Sequence, residues 1–166
     1  MNTEFDMQID AKDLYKFNIR QTYLSFNGVL SVVLPIICII MAVLQAQNNS
    51  WIYFALYLGF GILFIFYMPL SLWLGSKRIM KMGGPITKKL HYVMSEESIQ
   101  VSVEDQKDEL PWNLVYRMIE TKETILIFSN RKNAFILKKN QLGTAEQEVK
   151  ELAKKKLEKF RLKLQK

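Results

Sequence analysis

No Asp, Glu, Lys, Arg or His occurs between Arg20 and Lys77, in a chain in which 23% of residues are charged. Such a gap excludes an ordinary water-facing surface for that stretch, because exposed faces of soluble domains carry charge throughout. Cysteine is nearly absent: Cys38 stands alone inside the gap. It has no intrachain disulfide partner and no His or Cys neighbour at ligand spacing, and reads as a small hydrophobe. Histidine is represented only by His91, next to Tyr92 and two residues from Lys89. No glycine-rich phosphate loop is present, since GFG at 59–61 and NGV at 27–29 both fall in the apolar stretch. The acids Glu96/Glu97, Glu104/Asp105 and Asp108/Glu109 fall at expected turns, where solvated charge is their ordinary role. Without a nucleophile, base or metal set in mutual reach, no enzymatic activity, cofactor or metal is expected.

What the gap contains is apolar. It divides at QAQNNS, residues 45–50, into Leu24–Leu44 and Trp51–Leu74. At 1.5 Å per residue these make helices of about 32 and 36 Å, long enough to cross a hydrocarbon core of about 30 Å. Each holds 13 Leu, Ile, Phe or Val residues. On an insertion scale that is about −4 to −8 kcal/mol per span. A cleaved signal peptide fits poorly, because four acids precede the first span and a second span follows. Lys12, Lys16 and Arg20 flank the first span, and Lys77, Arg78, Lys81, Lys88 and Lys89 follow the second. This places both termini in the cytoplasm and the uncharged hairpin loop outside, in a cell membrane crossed twice. Pro35 is expected to kink the first span, and Ala55 with Gly59 suits tight helix packing or homo-oligomer formation. The lack of ionisable residues in either span argues against a proton or ion pathway.

Three of the 23 Lys/Arg and four of the 16 Asp/Glu precede the gap, leaving 20 and 12 after it. Next to membrane spans, this basic surplus points to anionic lipid head groups rather than nucleic acid, which is not an expected partner. The candidate anion contacts are Lys77, Arg78, Lys81, Lys88 and Lys89 near the membrane, and Arg131, Lys132, Lys138 and Lys139 in and after a hairpin turn. For each, fixing topology or solvating the surface is the plainer role.

Residues 75–85 read as a basic linker broken by Gly83, Gly84 and Pro85. From 86 to 166 the pattern becomes period two. Leu90, Tyr92 and Met94 alternate with polar neighbours, as do Ile99, Val101 and Val103. The stretch LPWNLVYRMIE predicts one strand with Leu110, Trp112, Leu114, Tyr116 and Met118 on a single buried face. Strands follow over Thr124–Ser129 and Ala134–Lys138, joined by NRKN, giving an antiparallel meander curled into a sheet or half-barrel. Thr144 and Gln147 suggest a capping box. Val149, Leu152, Ala153, Leu157, Phe160 and Leu164 then make one stripe of a final helix. The curled sheet would cover the stripe, although a coiled-coil copy or the membrane interface would also satisfy it. Trp112 is expected in the core beneath this helix, near Leu157 or Phe160. At the other end, residues 1–23 read as a strand (Phe5, Met7, Ile9) and a short helix, and the strand is expected to join an edge of the downstream sheet.

In this order, EFDMQID, AKDLYKFNIRQTY, two spans and LPWNLVYRMIETKETILIFSNRKNAFILKK resemble the YcxB-like family of small bacterial membrane proteins. The resemblance implies an α+β membrane protein: a two-helix transmembrane hairpin with a cytoplasmic pleckstrin-homology-like (PH-like) domain, a curled sheet capped by one helix. It carries over no activity and no catalytic residues. The expected function is a membrane-anchored binding or scaffold module, engaging an unidentified protein partner or anionic lipid at the inner membrane surface. The alternative is an accessory or regulatory subunit of a larger membrane complex, acting through its two spans.

Overall fold

The computed structural model describes residues 2–164. Met1, Gln165 and Lys166, at the ends of the expected 1–23 and 86–166 segments, lie outside the described residues. The chain forms two compact units, one from residues 11–81 and the other from the stretches on either side of it.

The first unit is helical: α1 (Ala11–Tyr23), α2 (Phe26–Gln47) and α3 (Trp51–Met82). Ser25 caps α2, its hydroxyl accepting from the Gly28 amide. Gly28, Pro35 and Ala42 are the buried residues of α2, seven apart and so on one face. Gly28 has to be glycine, since a Cβ there would lie 2.0 Å from the Thr22 carbonyl oxygen. The close approach of α3 to α2 falls at Gly61, where a Cβ would sit 3.4 Å from Ile39 and 3.5 Å from Cys38. Gly59, the glycine singled out by spacing, has nothing nearby among the described residues. Near the other end of α3, Asn18 donates to the buried Ser76 hydroxyl at 3.2 Å. Both α2 and α3 are long and apolar enough to cross a membrane. The expected linker at 75–85 is instead mostly helix: α3 runs 32 residues through Lys77, Arg78 and Lys81. The helix continues past Pro69 and Gly75 and ends at Gly83, whose φ is 69°; Pro85 lacks the N–H a continuing helix needs.

Among the described residues the second unit holds eight strands. β1 (Thr3–Met7), β2 (Leu90–Met94), β3 (Ser98–Val103) and β4 (Gln106–Pro111) form one sheet in that order, all antiparallel. β5 (Arg117–Glu120), β6 (Thr124–Phe128), β7 (Ala134–Lys138) and β8 (Leu162–Lys163) form a second, ordered β7-β6-β5-β8. Two sheets therefore replace the single curled one. The N-terminal strand does join the sheet: Thr3 pairs Met94 and Met7 pairs Leu90, across the whole helical insertion. Phe5 stacks on its register partner Tyr92 at 5.3 Å, and Phe5, Met7 and Ile9 are all buried. β1 is further held by Thr3, which donates to Glu148 at 2.6 Å, and by the Gln8 amide, which donates to Gln141 at 2.8 Å. Burial raises the Tyr92 phenol well above its ordinary range, and its hydroxyl finds no hydrogen-bond partner among the described residues.

After β7 come the single turn α4 (Lys139–Leu142) and then α5 (Ala145–Lys156). Val149, Leu152 and Ala153 are buried, and Leu157 closes the stripe. Thr144 makes no side-chain cap, so the expected capping box is not formed. The helix also stops eight residues before Leu164. Leu157 turns extended, and a 3-10 turn at 159–161 leads into β8, which pairs parallel with β5 (Met118 with Leu162). Backbone groups of β5 otherwise left at a sheet edge are satisfied by this pairing, and no glycine or proline in the sequence announces it.

Candidate binding site

The expected strand over 110–118 is broken. Pro111 ends β4, having no N–H to donate, and residues 112–114 form a 3-10 turn before β5. Trp112 is buried, and its indole N–H donates to the Ser95 carbonyl at 2.9 Å. The turn changes which residues face inward. Trp112, Val115 and Met118 are buried at spacing three, whereas Leu114 is 60% and Tyr116 44% exposed. Phe160, carried past the end of α5, is 76% exposed. Leu114, Tyr116 and Phe160 are therefore surface residues and not part of the core with Trp112 and Leu157.

Those three residues line one groove of about 630 Å³, between the 112–114 turn, the β6–β7 hairpin and the segment after α5. Arg117, Arg131, Arg161 and Lys163 also line it, and no carboxylate does. Rings and a carbonyl hold two of the guanidinium groups. Arg117 lies over Phe128 at 4.5 Å and beside Tyr116 at 5.7 Å, and its buried Nε has no hydrogen-bond partner among the described residues. Arg161 donates to the Val115 carbonyl at 3.2 Å and lies 5.6 Å from the Phe160 ring. Its contact with the exposed Glu158 is long, 3.9 Å.

Four of the other eight expected anion contacts already face carboxylates. Lys88 pairs with Glu104 and Lys89 with Asp6, each at 2.7 Å, and Lys138 reaches Asp10 at 3.4 Å. Lys89 and then His91, both hydrogen-bonded to Asp6, hold its carboxyl below the usual range. Lys139 belongs to a four-membered cluster: it and Lys150 both bind the buried Glu120, and both reach Glu146. Burial lowers the affinity of Lys150 for its proton, but Glu120 and Glu146 outweigh this and leave it above the ordinary lysine value. Two acids and two lysines balance, so the cluster ties β5, α4 and α5 together without a net charge to offer. In the helical unit, Lys77 lies over Trp73 at 4.7 Å, Arg78 borders a groove beside Gly75, and Lys81 is exposed. Lys132 is exposed in the hairpin turn, next to Arg131.

Of the nine expected contacts only Arg131 lines the groove. The residues missed were Arg117, Arg161 and Lys163. Arg117 lies in the tryptophan stretch, and the other two come from a segment read as helix. No local signal joins positions so far apart in sequence. Among the described residues no cluster of His, Cys, Asp or Glu suited to a metal ion occurs.

These features define an α+β protein in which two helices of membrane-crossing length interrupt a β domain after its first strand. Residues 95–153 match the family model described as YcxB-like protein, so the chain carries a YcxB-like domain there. The match runs from the turn before β3 into α5, while β1, β2 and the three long helices lie outside it. No curated protein and no solved structure matches the chain.

Proposed function

We propose that this protein is a non-enzymatic, membrane-anchored binding module. Helices α2 and α3 cross the cell membrane as a hairpin, and a cytoplasmic PH-like domain binds an anionic partner, protein or lipid, in its cationic groove. The carrying observation is the groove itself: four cations, no lining carboxylate and an exposed apolar rim. The order β1–β4, β5–β7 and then a helix supports the PH-like reading. The double crossing is supported by β1 and β2, which flank the helices in sequence yet share one sheet. Strands on opposite sides of a bilayer could not pair, which supports two crossings over one. The basic flanks then favour the cytoplasmic side.

The test uses the full-length protein in neutral detergent, titrated separately with phosphatidylglycerol and with polyglutamate. Amide exchange should slow at 113–117 and 159–163 with at least one of them, and the protection should fade as salt rises. Unchanged exchange with both would overturn the anionic-partner reading.

A further inference from the structure

The groove combines two kinds of group that a purely ionic site would not need. Arg117, Arg131, Arg161 and Lys163 supply charge, while Leu114, Tyr116 and Phe160 place large apolar surface in water beside them. A single exposed leucine means little. Three such side chains around four cations match the chemistry of a lipid–water boundary, where phosphates meet the cations and the apolar ends enter the acyl edge. An acidic protein segment would answer the charge and leave Phe160 and Leu114 without an apolar counterpart.

Two further observations favour lipid. Arg117 and Arg161 are positioned by aromatic rings and a carbonyl, with only the long 3.9 Å contact of Arg161 to exposed Glu158, so charge stays available to a ligand. Lys88, Lys89, Lys138 and Lys139 instead face the protein's own carboxylates at 2.5–3.4 Å. The chain connection is also short: only Gly83–Lys89 separates the end of α3 from β2. With α3 in a bilayer, this link keeps the domain at high effective concentration over lipid, so a weak surface contact suffices.

We infer that the groove docks on the anionic phospholipid surface of the bilayer that carries α2 and α3. This rests on the membrane-anchored reading above and makes the lipid, not a second protein, the occupant. Cations at the groove engage lipid phosphates, and Leu114, Tyr116 and Phe160 seat at the boundary between head groups and acyl chains. The domain then has a docked and an undocked state, set by the anionic lipid content of its own membrane.

The experiment reconstitutes full-length protein into phosphatidylcholine nanodiscs with or without phosphatidylglycerol and follows amide exchange. Phosphatidylglycerol should protect 112–117 and 159–163 while leaving β6 unchanged, and high salt should reverse the protection. Arg131→Gln should lower the ratio of docked to undocked domain about five-fold, from the electrostatic value of one cation near such a surface. Phe160→Ser and Leu114→Ser should each reduce docking with β6 protection intact, an effect that a purely ionic site would not show. Equal exchange in the two lipid compositions overturns the proposal. If polyglutamate protects the groove where lipid does not, an acidic protein segment is the occupant, and only the lipid assignment falls. If neither protects it, the anionic-partner reading falls as well.

Discussion

Trp112 and Leu114 lie two residues apart and have opposite fates, which makes them a sharp test of the core. Trp112→Ala removes a buried indole and its bond to Ser95. It should cost about 3–5 kcal/mol, whereas Leu114→Ala should change stability by about 0.5 kcal/mol or less. Unfolding of the solubilised protein, followed by near-ultraviolet circular dichroism, distinguishes the two. A comparable loss at Leu114 would restore the unbroken strand. Asp6 gives a pH signature. Its folded pKa is lowered by Lys89 and His91, so its contribution is present above the ordinary aspartate value. That contribution disappears as pH falls through the folded pKa. Asp6→Asn should therefore flatten the acid side of the stability profile below about pH 4 and lower the alkaline side without changing its slope.

Among the elements, β1 is short in length and large in effect. It buries Phe5 and Met7, with Ile9 just beyond it. At about 1.5–3 kcal/mol per side chain these three are worth about 5–9 kcal/mol, comparable to the whole stability of a small domain. A fragment of residues 82–164 should therefore exchange its β2 and β3 amides rapidly. Adding a peptide of residues 2–10 should restore protection, since the register is set by five paired positions. Full protection without the peptide would show that β1 is dispensable. The YcxB-like match, residues 95–153, covers less than the folded domain, leaving out β1, β2 and β8.

For the whole molecule, the proposed membrane hairpin and the pairing of β1 with β2 together put both ends of the chain on one side, whichever side the charge bias favours. Reporters placed before Thr3 and after Lys163 should label the same side of the membrane, and a reporter at Asn48–Ser50 the opposite side. Terminal reporters on opposite sides would require either the sheet or the membrane hairpin to be given up, whereas two external ones would overturn only the cytoplasmic orientation drawn from the basic flanks. Charge is also arranged at this scale. Carboxylates from β1, the β3–β4 turn, β5 and α5 pair with lysines of the same domain, whereas the groove is lined by four cations and no carboxylate.

The sequence by itself determined the features that depend on neighbours along the chain. These are the two apolar helices from the charge gap, β1–β3, β6 and β7 from their apolar patterns, and the onset of α5 from its period of three and four. β4 was not among them, since Asp108 and Glu109, expected at a turn, lie within it paired to β3. The joining of β1 to the sheet was also legible, because an alternating apolar strand has to bury one face somewhere. Only the tertiary structure decided the rest. The inward turn of Val115 in place of Leu114 and Tyr116 follows from the break at Pro111 and the bond of Trp112 to Ser95, a partner 17 residues away. The end of α5 at Lys156 reflects the open edge of β5, which the helical stripe through Phe160 and Leu164 gave no reason to expect. Which lysines are neutralised depends on carboxylates from distant strands. The groove likewise exists only because Arg117 and Arg161, 44 positions apart, meet at one end of a sheet; periodicity describes a single element and cannot show where two of them meet.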